Sequence, residues 1–209
     1  MPRTLSDGEV EDFRLALVEA ATRRFSEQGR AGLTLRGLAD EVGCSRMTPY
    51  RYFGNKEGIV AAVRAHAFDE LATATERAAR RGATPVARLE AGGRAYLRFA
   101  ARKPEMYRLM FAEPASDANA HPIFGKQIGR HRERMEAWSR DAIEAGELHG
   151  DPTTSAQLFW AGMHGVIMLE LAGRLTFGRG FERLANEMVR TLFRGMSLAS
   201  PASRKGDTT

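Results

Sequence analysis

The apolar positions of the chain fall into a succession of helical stripes. Phe13, Leu17, Ala21 and Phe25 recur at the four-residue spacing that lines one face of a helix, and Gly29 follows as a stop. Ahead of them SDGE, Ser6 to Glu9, has the spacing of a capping box. Thr34 can cap a short second helix whose buried side is Leu35, Leu38, Ala39 and Val42, ended by Gly43. Ser45 is placed to cap a third, from Arg46 to Tyr52 or Phe53, with Pro49 near the first turn where a missing N–H costs least. Asn55 caps a fourth, which starts at Lys56 and runs through Ile59, Val63, Ala67 and Leu71 towards Arg81. RRGATP at 80–85 breaks the pattern. Later helices are predicted at about 84–101, 104–113, 120–146, 153–174 and 181–198, with Pro and Gly at the breaks. No strand-like alternation persists and no internal repeat is visible. The predicted fold class is all-α, with about nine helices: a three-helix head at 1–55 and a larger helical domain at 56–199. The tail SPASRKGDTT, 200–209, has no apolar anchor and reads as disordered.

Composition narrows the setting. The 209 residues are 43% hydrophobic and 27% charged, the balance of an ordinary globular protein. No run of about 18 apolar residues would span a membrane. The opening MPRTLSDGEVEDF lacks the apolar core of a secretory signal. Cys44 is the only cysteine, which excludes an internal disulfide and a multi-cysteine metal centre. A reduced, cytoplasmic protein is expected.

Charge points to one stretch. The net charge is +5, yet residues 1–60 hold nine Arg or Lys against nine Asp or Glu. Within Arg30 to Lys56, five cations face only Asp40 and Glu41. The same stretch holds GCSRMTPYRYFGNKEG, Gly43 to Gly58, where cations and aromatics crowd together. Helices two and three meet across the tight turn GCS, which makes a helix-turn-helix whose second helix can enter a DNA major groove. Ser45, Arg46, Met47 and Thr48 stand at its base-facing start. Arg46 suits a bidentate contact to guanine, Thr48 a donor or acceptor role, and Met47 a thymine methyl. Tyr50, Arg51 and Tyr52 suit phosphate oxygens. Lys56 adds its charge to the N-terminal end of the fourth helix, and Thr34 with the N–H groups it caps can hold a phosphate on the other side. The competing reading is a solvated face over a core that takes in Phe53 and one tyrosine.

Across its first 60 or so residues the chain resembles the DNA-binding domain of the tetracycline-repressor (TetR) family of bacterial transcription regulators. The resemblance rests on LTLRGLADEVGCSRMTPYRYFGNKEGIV, above all Gly43, then Tyr50-x-x-Phe53, then Lys56-Glu57. It implies phosphate contacts at Tyr50, Tyr52 and Lys56, and base reading by Arg36 and residues 45–48. Position 52 is more often His in that family, and Tyr can still donate to a phosphate. Further on, KPEMYRLMF at 103–111 and FWAGMHGVIMLELAG at 159–173 are similar to a subgroup of TetR regulatory domains named for a Trp…His-Gly signature, here Trp160, His164 and Gly165.

The second half offers softer signals. Met106, Tyr107, Met110 and Phe111, with Trp138, Phe159, Trp160, Met163 and His164, make a Met- and aromatic-rich set that suits a small hydrophobic effector. The plain alternative is that they are core. No cluster of charges accompanies them in sequence, so a neutral or weakly polar ligand is expected. His121 and His131 are joined by no metal-binding spacing, and neither metal nor cofactor is expected. Leu158, Gly162, Gly165, Leu169 and Ala172, with Leu184, Met188 and Leu192, suit a two-fold four-helix interface, the alternative being burial within one subunit. No G-x-S-x-G, HExxH or S-x-x-K motif is present, and AHPIFGKQ departs from a phosphate loop at Ala120 and Gln127. An enzyme is therefore not expected. The reading is a one-component regulator, a repressor by analogy, that binds an operator as a homodimer. Its rival is a helical protein-interaction module without sequence-specific DNA binding.

Overall fold

The computed structural model describes residues 7–111, 122–178 and 180–197. Among these the chain is all-α, with nine helices: α1 (Asp7–Gly32), α2 (Leu35–Val42), α3 (Thr48–Phe53), α4 (Lys56–Ala79), α5 (Pro85–Arg102), α6 (Pro104–Phe111), α7 (Pro122–Glu144), α8 (Pro152–Leu171) and α9 (Phe181–Met196). Four of them open on a proline, where the fixed φ suits a first helical position and the absent N–H needs no partner. Ser6 of the expected capping box and the tail at 200–209 lie outside the described residues.

Local chemistry sets the other boundaries. Gly29 interrupts α1 with non-helical backbone (φ 63°, ψ −162°). The Thr34 hydroxyl accepts from the Gly37 N–H at 3.1 Å and caps α2. Gly43 ends α2 in the left-handed region at φ 72°, which a residue with a Cβ enters only at a cost. The Asn55 side chain accepts from the Gly58 N–H at 2.8 Å and caps α4. One expectation is corrected: the third helix begins at Thr48, not Arg46. The Thr48 N–H bonds the Ser45 carbonyl at 2.8 Å, so Ser45, Arg46 and Met47 form a tight turn. The first four-residue bond joins the Arg51 N–H to the Met47 carbonyl at 3.1 Å. Pro49, buried in α3, has no N–H to start it sooner.

By packing, the described residues form two compact units. One takes the chain up to Leu71 with Lys103–Gly129, the other Ala72–Arg102 with the chain from Arg130 on. This division by packing differs from the boundary at residue 55 expected from the sequence. In the first unit Leu17, Ala21 and Phe25 of α1, Leu38 and Ala39 of α2, and Ile59 and Val63 of α4 are buried together with Tyr107 and Met110 of α6. Each large apolar side chain so buried contributes about 1.5–3 kcal/mol. Arg64, 2% exposed, donates to the Met110 carbonyl at 3.2 Å and ties α4 to the end of α6.

The second unit is built on Leu89, Ala142, Leu148, Phe159 and Phe193, with Trp138, Val189 and Leu192 packed against them. Glu147, just after α7, secures the start of α5: its carboxylate accepts from the Thr84 hydroxyl at 3.0 Å and the Val86 N–H at 2.8 Å. Glu147→Ala removes both bonds and should lower stability by about 0.5–2 kcal/mol, as loss of a helix cap does. Urea denaturation with an unchanged slope checks this; an unchanged midpoint would show that water replaces the carboxylate.

Candidate nucleic-acid interface

The head is held by contacts away from its reading side. Arg24 of α1 donates to the Gly32 carbonyl at 3.0 Å and to the Glu41 carboxylate at 3.4 Å, and Arg23 reaches Glu41 at 3.2 Å. Gly37 leaves room for that arginine, since a Cβ there would fall 2.6 Å from Arg24 Nη2. Arg30 approaches Glu57 at 3.6 Å. These exposed pairs add little stability, but they neutralise Glu41 and Glu57. Among the described residues, Arg36, Arg46, Arg51 and Lys56 make no ion pair, so their charge is available to an anionic partner.

The structure brings the ten sequence-predicted residues onto the turn, α3 and the helix ends beside it. Thr34, Arg36, Ser45, Arg46, Met47, Tyr50 and Arg51 are exposed, whereas Thr48, Tyr52 and Lys56 are half-buried. Met47, 69% exposed, is an apolar side chain presented to solvent. The Tyr52 ring is tilted against Phe13 of α1 at 5.8 Å and against Phe53 at 6.4 Å, which restrains it. Sequence reasoning missed the Arg24 lock, whose partners lie 8 and 17 residues away. It also passed over Gly58, where an added Cβ would run into the backbone carbonyl oxygen of Phe53.

The nine residues of the Met- and aromatic-rich set are not brought together. Met106, Tyr107 and Met110 are buried in the first unit, where the Phe111 ring is tilted against Tyr107 at 4.8 Å and meets Phe68 edge-on at 5.5 Å. The second unit has its own apolar cavity, lined by Trp138, Phe159 and Met163 of the set. Tyr96, His131 and Phe193 line it too, and the Gly92–Gly93 pair forms part of its wall. The apolar face of α5 carried a signal for Tyr96, but a cavity shared by five helices has no single-stretch pattern. Its volume is about 30 Å³, on the order of one water molecule's share of the liquid. Burial of the ring pushes the His131 pKa down to about 4, so that side chain is neutral at neutral pH. Trp160 and His164 do not line the cavity; they stack on each other at 5.1 Å, and burial lowers the His164 pKa.

The proposed interface residues are also sorted by the structure. Gly162 sits beneath α9, where a Cβ would meet Met188 Sδ at 2.6 Å and Leu192 Cδ1 at 3.3 Å. These three therefore serve the contact of α8 with α9 within one chain. Leu158 and Leu169 are exposed by 46% and 44%, Ala172 is exposed, and Leu184 is half-buried. A Cβ on Gly165 would meet nothing within 4 Å. Met168 and Phe177 add exposed apolar surface.

A short helix pair across a glycine turn, with exposed polar and cationic side chains on the second helix, defines a helix-turn-helix DNA-binding head. The comparisons with known proteins agree. Residues 17–63 match the family model described as bacterial regulatory proteins, tetR family, and residues 89–192 match the model of a tetracyclin repressor-like C-terminal domain. The chain belongs to the TetR family of bacterial regulators and is a DNA-binding transcriptional regulator. It is 25% identical to the HTH-type transcriptional regulator Rv1816 of Mycobacterium tuberculosis, with 78% of this chain and 82% of that protein covered. It is 39% identical over 86 residues to the HTH-type transcriptional regulator BetI of Burkholderia thailandensis, covering 40% of this chain and 44% of that protein. A solved TetR-family transcriptional regulator from Pectobacterium atrosepticum shares the fold, with a TM-score of 0.71 at 23% identity over 93% of this chain and 99% of that one. The matches point to a regulator family and not to an enzyme. Among the described residues no helix is long and apolar enough to cross a membrane, and no His, Cys, Asp or Glu group could hold a metal ion.

Proposed function

We propose that the chain is a cytoplasmic one-component repressor that binds a pseudo-palindromic operator as a homodimer and is released by a small hydrophobic effector. The observation that carries the DNA reading is that, among the described residues, the cations around α3 make no ion pair, while Arg23, Arg24 and Arg30 hold Glu41 and Glu57. Arg36, Ser45, Arg46, Met47 and Thr48 are assigned to bases, and Thr34, Tyr50, Arg51, Tyr52 and Lys56 to phosphates. The exposed apolar stripe of α8, with Leu158 and Leu169, is assigned to the second subunit. The cavity of the second unit is assigned to the effector, which must enlarge it to enter. One helix, α4, carries Lys56 at its start and the cavity residue Thr75 near its end. Effector binding acts by favouring a dimer whose heads no longer match a groove spacing of roughly 34–36 Å.

Selection on a random duplex pool, followed by footprinting, tests this reading directly. A palindromic consensus supports it, and no enrichment would favour a protein-interaction module. Lys56→Ala should weaken binding to every sequence and lower the salt slope by about one unit. Arg46→Ala should instead relax preference at one position, at about 1–3 kcal/mol. Should Lys56→Ala leave affinity and salt slope as they were, the start of α4 does not lie on the backbone.

A further inference from the structure

Trp138 of α7 belongs to two spaces at once. On one side it lines the small apolar cavity of about 30 Å³. On the other it lines a surface groove of about 310 Å³ with Glu76, Ala79, Arg80, Arg88 and Arg134. The cavity is far below the roughly 300 Å³ of an ordinary ligand site, so any occupant must displace a wall. Leu89, Tyr96, Phe159, Met163 and Phe193 are buried, while His131 and Val189 are half-buried and line the cavity but not the groove. Trp138 is half-buried and has open groove behind it. Its indole rests on Gly92, whose missing side chain makes the seat: a Cβ there would lie 2.9 Å from Cζ3. Among the described residues its Nε1–H has no hydrogen-bond partner, so turning it outward breaks none.

The groove behind Trp138 is cationic. Three arginines face one carboxylate, Glu76, which Arg134 meets at 2.9 Å and Arg80 at 4.0 Å. Among the described residues the Arg88 side chain donates to the Gly82 carbonyl alone, at 3.4 Å. Each guanidinium has five N–H donors, so most remain for an anion, which arginine takes in a two-pronged grip. Inside the cavity the chemistry is the opposite: the lining is mostly apolar, His131 is neutral, and no charged side chain waits for an anion.

We propose that Trp138 is a door between these spaces, and that the effector is an amphipathic anion whose apolar part passes the door while its carboxylate or phosphate rests on Arg80, Arg88 and Arg134. This rests on assigning the effector to the cavity, and it replaces the neutral ligand expected from sequence with a charged amphiphile. The three arginines come from segments at 80, 88 and 134, which is why no cluster shows along the chain.

Calorimetry on the full chain with decanoate, decyl phosphate and decanol tests it, using wild type and the double variant Arg80→Gln, Arg88→Gln. That pair leaves the Arg134–Glu76 bridge in place. At least one anion should bind ten-fold or more tightly than decanol, and the double variant should erase that advantage while decanol binding holds. Whichever anion binds tighter names the head group. If decanol matches both anions and the double variant changes nothing, the anionic head is overturned while the cavity survives as a ligand site. If none of the three binds, both assignments fall. The door has its own readout, because binding should change tryptophan emission in wild type and not in Trp138→Phe. The same change persisting in Trp138→Phe would place the moving wall elsewhere.

Discussion

Gly58→Ala should reduce operator affinity by roughly ten- to a hundred-fold while leaving the protein folded. The added Cβ would run into the carbonyl oxygen of Phe53, with the Phe53 carbonyl carbon at 3.0 Å behind it. A flexible side chain could turn aside from such an overlap, but a backbone oxygen at the end of α3 cannot. The same carbonyl accepts the Asn55 N–H at 2.8 Å, and the Gly58 N–H is held by the Asn55 side chain. The strain must therefore be relieved by shifting α3 against the first turn of α4. Overpacking of this kind costs about 1–3 kcal/mol, and 1.4 kcal/mol is about ten-fold in a binding constant. The shift moves Tyr50 and Arg51 relative to Lys56, so contacts assigned to one DNA strand no longer fit together. Fluorescence anisotropy on the selected operator, beside thermal melting, separates this from unfolding. Full-strength binding by a folded Gly58→Ala protein would mean that this close approach plays no part in the DNA-bound head.

Much of this head is written in short-range chemistry, and that is why it was legible. Thr34 and Asn55 cap their helices because a side-chain oxygen three residues before a free N–H can reach it without help from elsewhere. Gly43 ends α2 for a reason that is also local. Proline at the first position of α5, α6, α7 and α8 brought those predicted starts within two residues of the observed ones. The start of α3 was misjudged within the same rules. Ser45 was expected to cap a helix at once, but its carbonyl bonds the Thr48 N–H and holds a tight turn that carries Arg46 and Met47.

What the sequence hid is long-range. That Arg64 donates to Met110, or that Glu147 holds Thr84 and Val86, depends on pairs 46 to 63 residues apart. Periodicity gives each helix an apolar face but not the partner for that face. The Met- and aromatic-rich residues of α6 and α8 therefore read as one set, although the first lie in one compact unit and the second in the other. The same blindness split the groove arginines from Trp138. Glycines carry a further layer of meaning that spacing cannot show. Gly92 seats an indole, Gly162 admits Met188, and Gly165 faces open space, yet all three look alike in a list of small residues on helices.

That difference between Gly162 and Gly165 makes the largest expected effect a clean one. Gly165→Glu should abolish the proposed homodimer and leave a monomer. In a single chain a Cβ at Gly165 meets nothing within 4 Å, so the isolated subunit can accept the larger side chain. At Gly162 the same change would strike Met188 and Leu192 and test only folding. Leu158 and Leu169 lie on the same exposed stripe of α8. If a second copy covers that stripe, the new carboxylate is buried there without a partner, at about 3–5 kcal/mol. That is roughly a hundred- to four-thousand-fold in the dimer dissociation constant. Operator affinity should fall with it, because a lone head holds only one half-site. Leu158→Lys should act in the same direction, since it too would place a charge in the contact. Sedimentation velocity reads the assembly, circular dichroism confirms the fold, and gel shifts on the full palindrome and on one half-site read the consequence. A folded monomer that gripped the palindrome as tightly as the wild type would break the link between dimer and DNA. A Gly165→Glu protein that stayed dimeric would move the interface off this face of α8.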